Sequence, residues 1–551
     1  MMLDIKNKIK LVLLVGLITP TLFGCNNKRK TDISIIYTTD VHCGLDTNLG
    51  YSSLYSYKET LSKTNYVTLV DSGDYLQGDF VGAISNGEYI INTMNKVGYD
   101  IATIGNHEFD YGMDELSLRL NEFKGDVTSC NFTYIGKKEN KFKNIKPYVI
   151  KEYGDKKVGY VGITTPHSLV ESSPDNFLED GELVYDFGNK TAEDFYALIQ
   201  SNINKCKSDG ADYIIMLSHL GSLDNYKPYS SLDVLSHTSG ALAFLDGHAH
   251  ISLPWETHKN KDNVDTLLVD TGYKLNNFAS LTIKEDGSIT HEFINEYDKK
   301  SSKIDKYIKE INKQADEKGN KVVANIDVDL KITDEDGIRM VRNRETPIGN
   351  LVSDAYRTIV NADIGVVNGG GIRDNLIKGD VTYKDIKNVH PFGNELMKKR
   401  TTGAKILDYL ELTSMNVDTI RVKDGKPYGE NGSFAHVSGL KYTIDTSIPT
   451  SVILNESGEF VRVDGLRRVK NVQVLEDGNY VDIDPNKEYT ISSHDFLLKN
   501  GGGGANMFMD DEVIPDTIML DYEVLIKYIV DVLKGKLKDK YSEAEGRIEI
   551  I

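Results

Sequence analysis

The chain has few of the residues that staple small secreted domains together. Four cysteines and one tryptophan occur among its 551 residues. Four widely spaced thiols cannot build a dense disulfide framework. One disulfide bond is possible, and none is required. The chain is also too long for a single hydrophobic core, and we therefore expect two or more domains.

An excess of basic charge is lacking as well. Lys and Arg total 64 against 83 Asp and Glu, which gives a net charge of −19. A protein that coats nucleic acid needs a basic face for phosphate contacts, so we expect no nucleic-acid polymer as a partner. Small phosphorylated substrates are compatible with this charge, because a metal ion or a few arginines can make the electrostatic potential positive locally.

A long apolar run occurs only near the start of the chain. Three lysines precede the apolar stretch 11–23, which is shorter than a membrane span and has the layout of a signal peptide. It ends in Leu-Phe-Gly-Cys, which resembles the lipobox of bacterial lipoproteins. We expect a signal peptide over 1–25, lipid on Cys25 and a tether over 26–32. The protein would be exported and held at a bacterial membrane or cell surface by this lipid alone; an ordinary secretory signal with a chance cysteine is the alternative.

Short apolar runs bounded by turn residues follow, and this pattern is typical of buried strands in an α/β fold. Six such runs occupy 33–38, 66–70, 101–104, 158–163, 213–217 and 241–245. Residues 301–318 differ, because Ile304, Ile308, Ile311 and Ala315 recur on one helical face. We interpret this segment as a connector helix within 298–325, although it could instead open the second domain.

Polar side chains follow five of the six runs directly. They are Asp40 and His42, Asp74, Asn106 and His107, His219, and finally His248 and His250. In an open α/β sheet, ligands bind at the carboxyl ends of the strands, so we expect these groups to gather. Carboxylate, imidazole and amide donors suit Zn²⁺, Mn²⁺ or Fe²⁺ better than a soft metal. A pair of such ions can clamp a phosphoryl group and generate hydroxide at neutral pH.

The ordered set Asp-x-His, Gly-Asp, Gly-Asn-His-Glu, His and Gly-His-x-His resembles the calcineurin-like metallophosphoesterases. The resemblance implies a four-layer β-sandwich flanked by helices over 33–297. It also implies two divalent ions, one held by Asp40, His42, Asp74 and His250, the other by Asp74, Asn106, His219 and His248. Their identity stays open between Zn, Mn and similar metals.

The same resemblance implies roles for the residues around Asn106. His107 would stabilise charge in the transition state or protonate the leaving oxygen, and Asp110 would orient it. Glu108 is expected to have a structural role. Cys43 is expected to pack as a small buried residue rather than to bind metal.

Four motifs in the second half resemble the C-terminal domain of 5′-nucleotidases. They are RNRETPIGNLVSDA from residue 342, NGGGIR from 368, HPFGNEL from 390 and HDFLLKNGGGGANMF from 494. The resemblance implies a mixed α/β substrate-binding domain over 326–551. It assigns substrate contacts to Arg342, Arg344, Asn368, Gly370, Arg373, Phe392 and Phe496. The two phenylalanines would sandwich the nucleobase, while the arginines would face the ribose or phosphate.

One position departs from that family pattern. Gly503 stands where many members have an aspartate that binds the ribose hydroxyls. Losing this acceptor would weaken selection for ribose, because a site that bonds a hydroxyl discriminates better than one that tolerates it. Strict specificity for 5′-mononucleotides is therefore in doubt.

Together the two resemblances imply a metal-dependent 5′-nucleotidase that releases nucleoside and phosphate by means of a metal-bound hydroxide. Closure of the two domains about residues 298–325 would bring the substrate to the metals. The same scaffold could instead hydrolyse UDP-sugars, nucleoside di- or triphosphates or 2′,3′-cyclic nucleotides. A sulfur-compound hydrolase or a lipoprotein that captures nucleotides without turnover are more distant alternatives.

Overall fold

The computed structural model describes residues 30–172, 174–223, 226–335, 337–417, 421–423, 426–428, 431–514 and 519–551. The expected signal peptide and the lipidation site at Cys25 lie outside these residues, so both stay predictions. None of the described helices combines the length and apolar character needed to cross a membrane.

The first half of the chain is built on two sheets. One has seven strands in the spatial order Ile289–Ile294, Phe278–Ile283, Ile33–Thr38, Tyr66–Asp71, Ile101–Ala102, Asp126–Thr128 and Ile145–Lys146. The other has six in the order Ser252–Lys259, Asp265–Thr271, Ala243–Asp246, Tyr213–His219, Lys156–Thr164 and Tyr148–Tyr153. A shared core of buried side chains, including Tyr37, Val70, Tyr160 and Leu217, joins the two sheets face to face.

Helices cover the outer faces of both sheets and complete a four-layer sandwich. They are Gly50–Leu61, Phe80–Ala83, Glu88–Val97, Gly112–Glu122, Ser168–Glu171, Ala192–Ser208 and Ser231–His237, with 3₁₀ turns at His107–Phe109 and Pro174–Phe177. Short strands at Thr133–Tyr134, Leu178–Glu179, Glu182–Leu183 and Tyr185–Asp186 lie in the connections. Separate apolar cores lie under the helices of each face, as expected when both sides of a sheet are covered.

The connector helix runs from Ser302 to Gly319, and the Ser301 hydroxyl accepts a hydrogen bond from the Ile304 amide at its start. Its four predicted apolar positions are all buried, and they belong to the same core as the helices of the seven-stranded sheet. The connector is therefore packed against the first domain along its length.

The second half is a mixed α/β domain with two principal sheets. The larger has the order Ala435–Ser438, Ile364–Asn368, Glu488–His494, Leu396–Thr402 and Glu512–Val513. The smaller has the order Asn479–Asp482, Val469–Glu476, Leu440–Ile444 and Ile548–Ile550. Two-stranded pairs join Val322–Ile326 to Gly379–Thr382, Arg421–Lys423 to Lys426–Tyr428, and Val452–Leu454 to Phe460–Val463.

The helical segments of this half are Pro347–Ile359, Tyr383–Val389, Gly403–Ser414, Asp495–Leu498, Asp521–Lys527, Tyr528–Val532 and Lys538–Tyr541. Single 3₁₀ turns occur at Met340–Arg342, Gly369–Gly371, Gly502–Gly504 and Asn506–Phe508. The longest of these helices has a start typical of helices, because the Thr346 hydroxyl accepts a hydrogen bond from the Gly349 amide and Pro347 occupies the first turn. The predicted two-domain α/β fold, with its sandwich and C-terminal mixed domain, is confirmed.

Candidate active site

The loops that follow the five predicted strands meet at one edge of the sandwich. Ligand atoms of Asp40, His42, Asp74 and His250 lie within 4.8 Å of one another, and so do those of Asp74, His219 and His248. Asp74 belongs to both groups. The amide oxygen of Asn106, the remaining predicted ligand, lies 3.2 Å from the His219 Nε2.

In the first group, imidazole nitrogens lie close to one another and to a carboxylate oxygen. The Nε2 atoms of His42 and His250 are 3.0 Å apart, and the His250 Nε2 lies 3.2 Å from an Asp40 carboxylate oxygen. In the second group, the His219 Nε2 lies 3.2 Å from Asp74 Oδ2. Imidazole and carboxylate atoms thus converge on two adjacent points, as the sequence spacing predicts.

The backbone at this edge is strained in a way that the sequence does not reveal. Five of the seven predicted ligands have positive φ angles: Asp40 (50°), His42 (44°), Asp74 (59°), His248 (80°) and His250 (56°). Such angles are uncommon outside glycine and persist where the surrounding structure enforces them, often at functional sites. The strained turns point the side chains across the strand ends toward a common centre.

Gly105 is required by the close approach of two of these loops. A Cβ atom at this position would lie 2.2 Å from a carboxylate oxygen of Asp74. Glu108 then fastens the loops together, since its buried carboxylate accepts hydrogen bonds from the backbone amides of Asp74, Tyr75, Leu76 and Gly105 at 2.6–3.0 Å. This is the structural role predicted for Glu108.

Two histidines are oriented by backbone carbonyl groups. The Nδ1 of His42 lies 2.9 Å from the Gln77 carbonyl, and the Nδ1 of His219 lies 2.8 Å from the Ser72 carbonyl. An Nδ1–H that donates to such a carbonyl leaves Nε2 as the free ligand atom, which is a common arrangement in metal sites.

The donor set fits a pair of divalent cations. Asp74 Oδ2 is fully buried and accepts no hydrogen bond, which is costly for a carboxylate oxygen unless a cation is close. Burial raises the pKa of Asp74, but His219 and His107 outweigh it and hold that pKa well below its ordinary value. Cys43 does not join the set, because its buried thiol donates to the Leu76 carbonyl at 3.1 Å.

His107 and Asp110 form a charged pair beside the two groups. The His107 Nδ1–H donates to Asp110 Oδ2 at 2.6 Å, and the Ser172 hydroxyl donates to the other Asp110 oxygen at 2.9 Å. Burial lowers the pKa of His107, but the carboxylates of Asp110 and Asp74 outweigh it, so the pKa lies above its ordinary value. The imidazole is therefore poised to carry a proton.

The second domain reaches this centre through Phe392 and Arg373. The Phe392 ring stacks on His107 with 6.1 Å between ring centroids and 24° between planes. The Arg373 guanidinium lies 5.6 Å from the same phenylalanine ring. Burial, followed by the charges of Arg342 and Arg339, lowers the pKa of Arg373 to about 9.

Asn368 and Phe496, two further predicted substrate residues, have partners within the second domain. Asn368 accepts a hydrogen bond from His494 at 3.0 Å and donates to the Gly432 carbonyl at 3.2 Å. Phe496 contacts the His494 ring, with 5.7 Å between centroids.

Gly370 and Arg344 also have partners within the second domain. The Gly370 amide donates to the Gly432 carbonyl at 2.8 Å. The Arg344 Nε donates to the Asn343 side chain at 3.1 Å.

Sequence reasoning missed Arg339, Glu171 and His167. Arg339 precedes the Arg-x-Arg motif by three residues and, with Arg342 and Arg373, acts on the pKa of His250. Glu171 and His167 follow the strand Lys156–Thr164, the one predicted run that no donor follows directly, and form a third group with His248. An inspection of the residues several positions beyond that run would have found them.

Two family models match the chain in the order of its domains. The calcineurin-like phosphoesterase model matches residues 33–252, and the model of the 5′-nucleotidase C-terminal domain matches residues 322–510. The chain therefore carries both domains and belongs to the 5′-nucleotidase family.

Curated relatives differ in how much of their length the chain spans. The chain is 26% identical to the trifunctional nucleotide phosphoesterase protein YfkN of Bacillus subtilis, over 94% of this chain but only 35% of that protein. It is 24% identical to the 5′-nucleotidase of Bos taurus, over 95% of this chain and 91% of that protein.

A solved structure shares the whole arrangement of domains. The 5′-nucleotidase precursor of Thermus thermophilus superposes with a TM-score of 0.73 at 24% identity, covering 94% of this chain and 99% of the other. At this identity the likeness bears on the fold alone.

Proposed function

We propose that the protein is a dinuclear-metal nucleotidase that hydrolyses 5′-nucleotides to nucleoside and phosphate. The family makes it a phosphoesterase, and the arrangement of the two domains supports the nucleotide. The observation that carries the proposal is the stacking of Phe392, from the second domain, on His107 beside the metal-ligand groups. A substrate held there would have its phosphate at the metals and an apolar ring system on the second domain.

The seven predicted ligands would hold the two ions, four residues around each, with Asp74 shared. Such ions would supply Lewis acidity and an activated water at neutral pH. Asp74 stays ionised, because neighbouring histidines keep its pKa low, and its carboxylate is thus ready to bind a cation. The loops are held rigid by Glu108, so the ligand atoms need little rearrangement when ions bind.

His107 supplies the proton for the leaving group. Its Nδ1 is committed to Asp110, so Nε2 is the atom that can donate to an oxygen of the substrate. The raised pKa keeps the ring protonated at higher pH than an ordinary histidine. Asp110 in turn is held by the Ser172 hydroxyl, which fixes the direction of the imidazole.

The arginines from the second domain supply positive charge at the opposite side of the site. Arg342 and Arg373 would bind phosphate oxygens, for which the planar guanidinium is well suited. Arg344 and Asn368 would assist at the ribose or base, and the Phe392 and Phe496 rings would stack on the base.

The protein is further proposed to act outside the cytoplasm of a bacterium. The basic leader, the apolar stretch and the lipobox-like ending at Cys25 support a lipid anchor at the membrane. Its substrates would then be extracellular or periplasmic nucleotides.

A broader set of phosphoesters is the second candidate function. Gly503 offers no carboxylate to ribose hydroxyls, and Arg339 adds a third positive charge near His250. The first feature relaxes selection at the sugar, and the second favours nucleoside di- or triphosphates over a strict mononucleotide. The name of the B. subtilis relative, a trifunctional nucleotide phosphoesterase, is in keeping with such breadth.

Phosphate release tests these proposals directly. The purified protein, made metal-free and reloaded with Mn²⁺ or Zn²⁺, would be assayed with AMP, UDP-glucose, ATP and 2′,3′-cyclic AMP. We expect metal-dependent turnover of AMP that falls 10²- to 10⁴-fold in His107→Asn, the range typical of general acid catalysis. His291→Asn, at an exposed histidine of the outermost strand, is the control and should retain activity.

Turnover of only cyclic or diphosphate substrates would move the substrate assignment while leaving the chemistry in place. Tight nucleotide binding without any turnover would contradict the enzyme proposal and favour a capture protein.

A further inference from the structure

His248 has a carboxylate partner that the family pattern does not assign. Its side chain is 6% exposed, and its Nε2 lies 3.2 Å from Glu171 Oε2. Neither atom is exposed to solvent, and neither has a hydrogen-bond partner, so the two lie at contact distance without a formed hydrogen bond. A buried imidazole nitrogen and a buried carboxylate oxygen at this separation are poised to share one proton.

The same ring also lies beside the metal-ligand groups. His248 has a ligand atom within 4.8 Å of those of Asp74 and His219. If Nε2 donates its proton to Glu171, Nδ1 is left with the free lone pair. In many metal sites a carboxylate fixes a ligating histidine in this way, setting both its tautomer and its orientation.

We propose that Glu171 is a positioning residue that holds His248 with Nδ1 directed at the second ion. The proposal rests on the metal centre described under the proposed function, but not on the identity of the substrate. Glu171 itself touches neither substrate nor ion in this arrangement; it acts through His248.

The local backbone explains why Glu171 can do this. The Glu171 amide donates to the His167 carbonyl at 2.8 Å, which closes the short helix Ser168–Glu171. The next residue, Ser172, donates its hydroxyl to Asp110 at 2.9 Å. Two adjacent residues of one segment therefore orient two different histidines, His248 through Glu171 and His107 through Asp110.

His167 raises a rival interpretation. Its ring nitrogen lies within 4.8 Å of the ligand atoms of Glu171 and His248, so the three could form a separate cation site. That site would take the Nε2 of His248 as a ligand, whereas the proposal keeps a proton on this atom. The number of ions bound by the protein separates the two.

Metal titration of the metal-free protein is the decisive experiment. Zn²⁺ would be added in competition with a chromophoric chelator, and His219→Ala would identify the binding event of the second ion. We expect Glu171→Ala to weaken that event 10- to 100-fold, the usual effect of removing such a partner, and to leave the first ion unchanged. Glu171→Gln keeps an acceptor oxygen and should fall between Glu171→Ala and the parent protein.

Glu182→Gln, an exposed glutamate on a nearby short strand, is the matched control and should bind both ions as the parent does. In the Zn²⁺-loaded protein labelled with ¹⁵N-histidine, NMR should show the His248 proton on Nε2. Thermal unfolding of the metal-free variants reports any general loss of structure, which would weaken both ions alike.

Three results would overturn the proposal. They are equal weakening of both ions, unchanged affinity for the second ion in Glu171→Ala, and a third bound Zn²⁺ that Glu171→Ala removes. None of these measurements uses a nucleotide, so the absence of nucleotidase activity would not affect the outcome.

Discussion

At the scale of single residues, three guanidinium groups from the second domain act on one side of the metal centre. Arg339, Arg342 and Arg373 all lower the pKa of His250, after burial itself, and so keep that ring neutral and able to bind a metal. Two arginines are enough for one phosphate. The third, Arg339, lies just before the family motif and is the residue that a second phosphate could use.

Arg339→Gln should therefore discriminate between substrates. We expect kcat/KM for ADP and ATP to fall about tenfold or more, corresponding to about 1.4 kcal/mol of lost interaction, and that for AMP to fall less. Steady-state phosphate release with the three nucleotides measures this. Arg462→Gln, at an exposed arginine of the same domain, should change none of them; equal losses on AMP and ATP would assign Arg339 to the first phosphate instead.

Gly503 leads to a prediction about the sugar. Its φ of 67° is left-handed, and a Cβ here would lie 2.7 Å from the Ser433 hydroxyl oxygen. The Ser433 hydroxyl therefore crowds an aspartate at this position, whereas the left-handed backbone is one that aspartate adopts more readily than most residues.

Without that acceptor, AMP and 2′-deoxy-AMP should have kcat/KM values within about tenfold of each other. The double variant Gly503→Asp with Ser433→Ala, which removes the crowding hydroxyl, should restore a preference for AMP. Competition assays with the two nucleotides measure the ratio. A strong preference for AMP in the unaltered protein would show that another group binds the ribose hydroxyls.

The sequence predicts which residues gather at the site but not how they are held. Spacing and order bring Asp40, His42, Asp74 and His250 together because the ends of parallel strands meet at one edge. The positive φ angles of these ligands depend on contacts such as that between Gly105 and Asp74, which are distant in sequence. Glu171 escaped prediction for the same reason, since its partner His248 follows 77 positions later on another strand end.

At the scale of elements, the helix Pro347–Ile359 is anchored to the end of the chain by Asp354. Its buried carboxylate accepts two hydrogen bonds from Arg547, both at 2.9 Å, and one from the Tyr541 hydroxyl at 2.7 Å. Burial raises the pKa of Asp354, but Arg547 and Lys540 outweigh it and lower the pKa to about 2. This single residue joins the helix, the strand Ile548–Ile550 and the helix Lys538–Tyr541.

Asp354→Asn should destabilise the second domain by about 3 kcal/mol at pH 7, the low end for breaking a buried ion pair, because the buried Arg547 then keeps only the Glu545 carboxylate as its counter-charge. The folded-state pKa lies below the unfolded value of about 3.9, so the stabilisation is complete above pH 4 and is lost as pH falls toward 2. The difference between parent and variant should therefore shrink over that range. Urea unfolding followed at several pH values tests this.

The matched control for that measurement is Asp464→Asn, whose partner Arg462 is exposed. Exposed ion pairs contribute about 0–1 kcal/mol, so its effect should be small at every pH. A constant difference between parent and Asp354→Asn from pH 7 down to 2 would contradict the assignment of the pH dependence to this carboxylate.

Elements were easier to predict than their ends. The apolar run at 101–104 is paired as a strand only over Ile101–Ala102. The run at 241–245 corresponds to a strand that covers Ala243–Asp246. Apolar periodicity identifies buried strands. It does not show where a strand must end so that the next residues can bring a metal-ligating side chain into the site. Thr103 illustrates this, because its hydroxyl donates to the Thr128 carbonyl just before the chain turns toward Asn106.

At the scale of the whole molecule, the connector helix belongs mechanically to the first domain. Its apolar face is buried in that domain's core, so a rigid rotation of the second domain would bend the chain after Gly319 rather than within the helix. This narrows the hinge candidate from residues 298–325 to the few residues that follow the helix. Hinges of this kind are a few element-terminal residues that absorb the change in backbone angles.

Gly319 lies where the connector meets both domains. A Cβ here would approach the Phe80 ring of the first domain to 2.7 Å and the Lys384 Cβ of the second domain to 2.9 Å. Close to it, Lys384 forms an ion pair with Asp316 at 2.7 Å. The docked arrangement that stacks Phe392 on His107 therefore requires a residue without a side chain at this point.

Gly319→Val should wedge the domains apart and shift them away from the docked arrangement. We expect kcat/KM for AMP, which spans both domains, to fall by more than about tenfold, whereas hydrolysis of p-nitrophenyl phosphate should change less because this small ester depends mainly on the first domain. Small-angle X-ray scattering should show a larger radius of gyration. Lys309→Val places the same valine side chain on the exposed face of this helix without touching Phe80 or Lys384, so it controls for the introduction of a β-branched apolar residue. Equal losses on both substrates with an unchanged radius would mean that the valine disturbs the metal centre itself, and the docking of the domains would then not be what limits nucleotide hydrolysis.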